Sequence, residues 1–187
     1  MLLEVGAKAA QVEQLTGYVF TNKLLAAEAV QMAAPQIAVI YGSFRGLPNN
    51  KRLSVLGDAV LAKTLCDLWF TARDRWGRYK PAISLLTTEF TKSGNLLNTS
   101  DWNMLRNDML SNDNLAQRGY SLGVGSCVFC NEGTTVSAKM VAGTLQAIVG
   151  AVHQDGGDDA VLRVIEHLGF TQHSLLMVTL LTPFSLG

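Results

Sequence analysis

Asn49 to Leu61 reads NNKRLSVLGDAVL, the start of a buried helix that carries one acidic residue, Asp58. Extended to RLSVLGDAVLAKTLCDLWFTA, the segment is apolar nearly all round, the pattern of a central helix. Its frame, R-L-x-x-L-G-D-A-V-L, is specific. Lys51 and Ser54 stand two turns and one turn before Asp58, at positions where further carboxylates would complete an acidic face.

The rest of the chain extends this helical reading. AAQVEQLTGYVF and TNKLLAAEAVQMAA carry apolar residues at three- and four-residue spacing, with Thr21-Asn22 between them as a cap and turn. NLAQRGYSLG reads as a short helix stopped by Gly119. VSAKMVAGTLQAIVGAVHQDGG reads as a second buried helix ending at Gly156-Gly157. In DDAVLRVIEHLGF, Asp158 and Asp159 suit the positive end of a last amphipathic helix. No strand pattern or internal repeat competes, so the expected class is all-α. At 187 residues the chain suits one domain with its own core.

Composition narrows the function classes. Hydrophobic residues make up 48% and charged residues 16%, a globular rather than a solvated composition. Lys and Arg number 15 against 15 Asp and Glu, so no overall basic field announces a nucleic acid; such a partner needs a local site. That local site is expected in Arg73–Ser100, where Arg73, Arg75, Arg78 and Lys80 with Trp76 and Tyr79 form a dense basic-aromatic cluster. Such a cluster can hold a phosphate backbone and stack bases, or be a solvated loop after a helix end. Three cysteines are too few for a disulfide framework, and MLLEVGAKAAQVEQL lacks the marks of a secretory or mitochondrial leader, so an intracellular setting is expected. The apolar run Leu175–Leu181 is far shorter than the ~20 residues of a membrane helix, and no membrane partner is expected.

Four ordered segments together resemble the ribonuclease III domain family. The family's N-E-R-L-E-F-L-G-D-[AS]-V-L is matched by Asn50–Leu61, and its [IL]-x-A-D-x-x-E-A-[LI]-[IV]-G-A…D-G-G by Met140–Gly157. LRNDMLSNDNLAQRGYSLG and LTGYVFTNKLLAAEAV match two further family segments. The resemblance implies a helical endonuclease domain over residues 1–170, with an insertion at about 73–100 and a C-terminal tail at 171–187. It also implies cleavage of double-stranded RNA by two Mg²⁺ ions held on carboxylates.

At the family's catalytic positions this chain departs from the pattern. Lys51, Ser54, Gly143 and Gln146 stand where the family has acids, and Asp58 alone is kept. Counting Lys51 as +1 and Asp58 as −1, the formal charge of the five positions goes from −5 to 0. Lys51 lies about 10.5 Å from Asp58 along the axis, close enough to oppose a cation. The expectation is therefore an inactive or crippled domain that binds structured or double-stranded RNA, with no cofactor. Asp58 is a weak metal candidate, and more simply a lone acid paired with Arg52 or Lys51. A divergent Mg²⁺-dependent enzyme and a structural subunit of a ribonucleoprotein, such as a mitochondrial ribosome, are the alternatives.

The resemblance also implies a homodimer across the first-motif helix, where Val55 replaces an aromatic knob, and admits a ribonucleoprotein or RNA-processing partner. The 17 residues after Phe170 are too few for a double-stranded-RNA-binding domain. Gly57 and Gly150 are expected to be close-packing points, since helix-interior glycine otherwise costs ~1 kcal/mol. Cys127 and Cys130 form a C-x-x-C pair without the second pair that zinc wants or the βαβ setting of a redox motif. His153, His167 and His173 have no nucleophile at a recognisable spacing.

Overall fold

The computed structural model describes residues 5–33, 36–40, 43–71 and 99–176. Arg73, Arg75, Trp76, Arg78 and Lys80 lie outside the described residues, as does all of the 73–100 insertion except Thr99 and Ser100.

Helix α1 (Val5–Thr16) ends at Gly17, whose φ of 65° is the left-handed turn that glycine adopts at little cost. Asn22 caps α2 (Lys23–Ala29) by accepting from the Leu24 N–H at 3.1 Å, as the Thr21-Asn22 cap predicts. This helix is shorter than its apolar spacing suggests. Beyond Val30 the backbone bonds elsewhere: Phe129 N–H donates to Val30 O, and the N–H groups of Met32 and Ala33 donate to Phe129 O. Those bonds replace the ladder a longer helix would need.

A hairpin follows, β1 (Gln36–Ile40) against β2 (Ser43–Leu47), antiparallel with Gln36 opposite Leu47 and Ile40 opposite Ser43. The sequence pattern had suggested no strand. The ribbon is an addition between helices, and the architecture remains all-α.

Helices α3 (Lys51–Thr71), α4 (Thr99–Leu110), α5 (Asn112–Ser121), α6 (Val124–Cys127) and α7 (Ala138–His167) complete the described elements. Ser111 and Ser137 cap α5 and α7 through their hydroxyls. Inside α7, Gly157 is non-helical (φ 70°, ψ −166°), so the Gly156-Gly157 stop expected from sequence appears as a sharp kink. Gly119 does not stop α5, which continues to Ser121 and ends before Gly123 (φ 81°). Gly119 is instead a packing point: an added Cβ would stand 2.5 Å from Val141 Cγ1 of α7.

The helix at the centre is α7 rather than α3. Val141, Ala142, Leu145, Ile148, Val149, Ala151 and Val152 are all fully buried there, against Leu61 and Leu65 of α3 and Leu115 of α5. On α3, Lys51, Arg52, Val55 and Asp58 are exposed; of the substituted motif positions Lys51 lies among them, Ser54 is half-buried beside them, and Gly143 and Gln146 lie on α7. Leu175 and Leu176, in the segment read as a tail, pack onto the same core. Among the described residues no helix is long and apolar enough to cross a membrane.

Candidate functional site

Two glycines set the geometry of the site. A Cβ on Gly57 would fall on the carbonyl oxygen of Gln146 and 2.9 Å from Gly150 N. A Cβ on Gly150 would fall on the carbonyl oxygen of Leu53 and 3.0 Å from Gly57 N. Helices α3 and α7 therefore touch backbone to backbone, which only glycine permits. Buried Asn50 fixes the start of α3 beside them: its Nδ2 donates to Ala29 O at 2.9 Å and to Thr144 Oγ1 at 3.3 Å.

That crossing brings Ser54, Asp58, Gly143 and Gln146 together. Ser54 Oγ donates to Gln146 Oε1 at 3.1 Å, and Gln146 Nε2 donates to Asp58 Oδ1 at 2.9 Å. The Cβ that Gly143 lacks would lie 3.6 Å from Ser54 Oγ, an ordinary contact with room beyond it. Lys51 sits exposed at the first residue of α3, outside this hydrogen-bonded set. Asp58 takes Gln146 as its partner, not Arg52 or Lys51. Arg52 acts on Glu28 instead: burial pushes the Glu28 carboxyl up while the Arg52 guanidinium pulls it down.

Does this donor set suit Mg²⁺? A hard cation asks for several converging oxygens, preferably anionic. Here the one anionic group meets an amide N–H, and the amide oxygen points away from it toward Ser54. The residues present do not fit a two-metal site. Among the described residues no three His, Cys, Asp or Glu side chains gather where they could hold a metal ion. Cys127 is buried and Cys130 half-buried, with Cys130 Sγ donating to Thr134 O at 3.5 Å.

A second carboxylate matters structurally and carried no role in the sequence reading. Asp155, at the end of the first α7 segment, accepts from Tyr18 Oη at 2.9 Å, Thr21 N at 2.7 Å and Asn22 N at 2.8 Å. Burial pushes its carboxyl up, but these donors and Lys23 outweigh burial and hold it below the ordinary range. Burial and the Asp155 charge together push the Tyr18 phenol up to about 12. The D-G-G of the second motif was the available signal. Its Asp ties α7 to the turn entering α2, away from the Ser54–Gln146–Asp58 set.

Comparison with known proteins follows the same lines. No family model matches the chain. It is 29% identical over 171 residues to Ribonuclease 3 of Syntrophotalea carbinolica, covering 86% of this chain and 61% of that protein. It is 29% identical to Ribonuclease 3 of Nitrosomonas eutropha (64% of this chain, 42% of that protein) and 30% identical to that of Streptomyces coelicolor (66% and 39%). The chain thus spans less than two thirds of the length of these curated relatives. Among solved structures, the nuclease domain of ribonuclease III from Campylobacter jejuni superposes with a TM-score of 0.58 at 20% identity, covering 87% of this chain and 93% of that one. A second structure of that nuclease domain, described for structural flexibility in its dimer-forming region, gives a TM-score of 0.60 at 21% identity, covering 87% and 95%.

Proposed function

Starting from a chain that belongs to the ribonuclease III domain family, we propose that it binds double-stranded or structured RNA without cleaving it. One observation carries the reading. Gln146 turns its amide N–H onto Asp58, the one acidic side chain left at the family's five metal-holding positions, so that the place of a cation is taken by a hydrogen bond. Catalysis by two metal ions needs anionic oxygens to hold both and to charge-balance the leaving group. With Ser54, Gly143 and Lys51 at three of the other positions, that balance is missing. The protein works without a cofactor on this reading.

Residues 1–170 form the proposed domain, with packing that runs on to Leu176. RNA contact is assigned to Arg73, Arg75, Trp76, Arg78 and Lys80, through phosphate pairing and base stacking. We further propose a homodimer across α3, where Val55 is 74% exposed, and an RNA-processing or ribonucleoprotein assembly as its setting.

A single gel tests this. The protein is incubated with a long RNA duplex and Mg²⁺ or Mn²⁺, beside a variant carrying Ser54→Glu, Gly143→Asp and Gln146→Glu. The expected result is binding without cleavage by the native chain, with cleavage in the restored variant supporting the lost-site reading further. Cleavage by the native chain that Asp58→Ala abolishes would overturn the proposal in favour of a divergent active endoribonuclease.

A further inference from the structure

We infer that Ser54, Gln146 and Asp58 form a cation-independent clasp between α3 and α7, and that Gln146 alone decides whether this junction responds to divalent cations. The inference rests on the lost-metal part of the reading above and not on its RNA part.

Both ends of the Gln146 amide are used, and in one orientation. Its oxygen accepts from the Ser54 hydroxyl at 3.1 Å, and its nitrogen donates to the Asp58 carboxylate at 2.9 Å. Turning the amide over would set oxygen against carboxylate oxygen, two acceptors with no proton between them. Gln146 is only 9% exposed, so its polar ends depend on these protein partners. The same residue's main chain lies against Gly57, at the closest approach of the two helices. Side chain and backbone of one residue thus hold α3 in two independent ways.

A carboxylate at this position would behave in the opposite manner. Replacing the amide nitrogen by oxygen would place two carboxylates about 3 Å apart, a pair that needs a shared proton or a cation between them. Like-charge proximity raises the pair's affinity for a proton, so the resulting penalty is full at neutral pH and shrinks as pH falls. In the native chain the amide N–H supplies the positive end, and neither proton nor metal is required. The residues that fail as a metal site succeed as a fastening.

Thermal unfolding of the full chain, in EDTA or in millimolar Mn²⁺ or Mg²⁺, tests this without reference to RNA. The native protein is expected to melt at the same temperature in all three. Gln146→Glu should melt roughly 2–8 °C lower in EDTA at neutral pH and recover with Mn²⁺ or on acidification. Gln146→Met, similar in length but unable to make either bond, should melt lower in EDTA and not recover with metal. Folding of Gln146→Glu only when Mn²⁺ is present would support the clasp equally. If Gln146→Glu does not fold under any condition, the Gln146→Met result decides.

Two outcomes overturn the inference. If Mn²⁺ raises the melting temperature of the native chain as much as that of Gln146→Glu, Asp58 already binds metal, and the lost-metal reading falls with the clasp. If Gln146→Glu and Gln146→Met both match the native chain in EDTA, the clasp fails by itself and the reading of RNA binding without cleavage stands untouched.

Discussion

Tyr18 and Asp155, 137 residues apart, are joined by a 2.9 Å hydrogen bond that closes the turn before α2 onto the end of the first α7 segment. The carboxylate also receives two backbone N–H groups there, those of Thr21 and Asn22. Asp155→Asn keeps the shape but loses the charge, and places an amide N–H among donors. It should destabilise the protein by about 1–3 kcal/mol at neutral pH, measured by urea unfolding. The native carboxyl sits below its ordinary value near 3.8. Its contribution is therefore present above that value and is lost as pH falls through the lower folded one. The slope of stability between about pH 5 and pH 2 should flatten in the variant. Tyr18 has the opposite sign: its contribution holds below pH 10 and fades as pH rises through about 12.

Gly57 and Gly143 should respond to alanine in opposite directions. At Gly57 the new methyl meets the Gln146 carbonyl, an atom of the main chain that cannot step aside. Gly57→Ala should cost at least 1–3 kcal/mol, roughly, and thermal denaturation should show it as a large fall or as failure to fold. At Gly143 the nearest atom is Ser54 Oγ at 3.6 Å. Gly143→Ala should be neutral or stabilise by up to about 1 kcal/mol, since alanine is the better helix former. Two glycines on facing helices thus serve different ends.

Arg118 covers the end of α7. Its Nη1 donates to Leu168 O at 3.0 Å, and its guanidinium lies 4.6 Å from the centre of the Phe170 ring. The first satisfies a carbonyl at the C-terminus of α7, where a cation is favoured, and the second is a cation–π contact. Arg118→Met retains much of the apolar stem but neither contact, and should lower stability by about 1–2 kcal/mol in chemical denaturation.

The basic cluster has a signature in salt. If Arg73, Arg75 and Arg78 each neutralise a phosphate, replacing all three by alanine should weaken duplex RNA binding at low salt. The slope of log affinity against log salt should become shallower by about 2 to 3. Filter binding across a salt series measures both. Trp76→Ala should reduce affinity with little change of slope, because stacking releases no counterions.

The helical architecture was legible because apolar spacing and caps act locally. Asn22, the kink at Gly157 and the joint role of Gly57 and Gly150 all follow from residue types whose backbone behaviour is distinctive. The convergence of 54, 58, 143 and 146 follows from helix periodicity together with the family frame, whereas Lys51, expected on the same face, stands exposed outside the hydrogen-bonded set. What Gln146 does with its amide was not legible, since orientation depends on Ser54 and Asp58 being present at once. The early end of α2 depends on Phe129, about a hundred residues later in the chain, and no local pattern encodes such a partner. Gly119 was misread for a related reason: a glycine near a helix end suits both a stop and a close contact, and only Val141 distinguishes them.

The backbone contact between Gly57 and Gly150 has a further meaning for how such a protein can change. A joint made of main-chain atoms takes its alignment from the absence of side chains, so its register is set apart from what the adjoining side chains carry, while those side chains add to or subtract from its strength. Charge, polarity and ligand preference at 54, 58, 143 and 146 can then be exchanged like tool heads on a fixed mount, while the mount keeps its register. For a designer, this crossing is a ready chassis, on which new chemistry can be installed by editing one face and leaving two glycines alone.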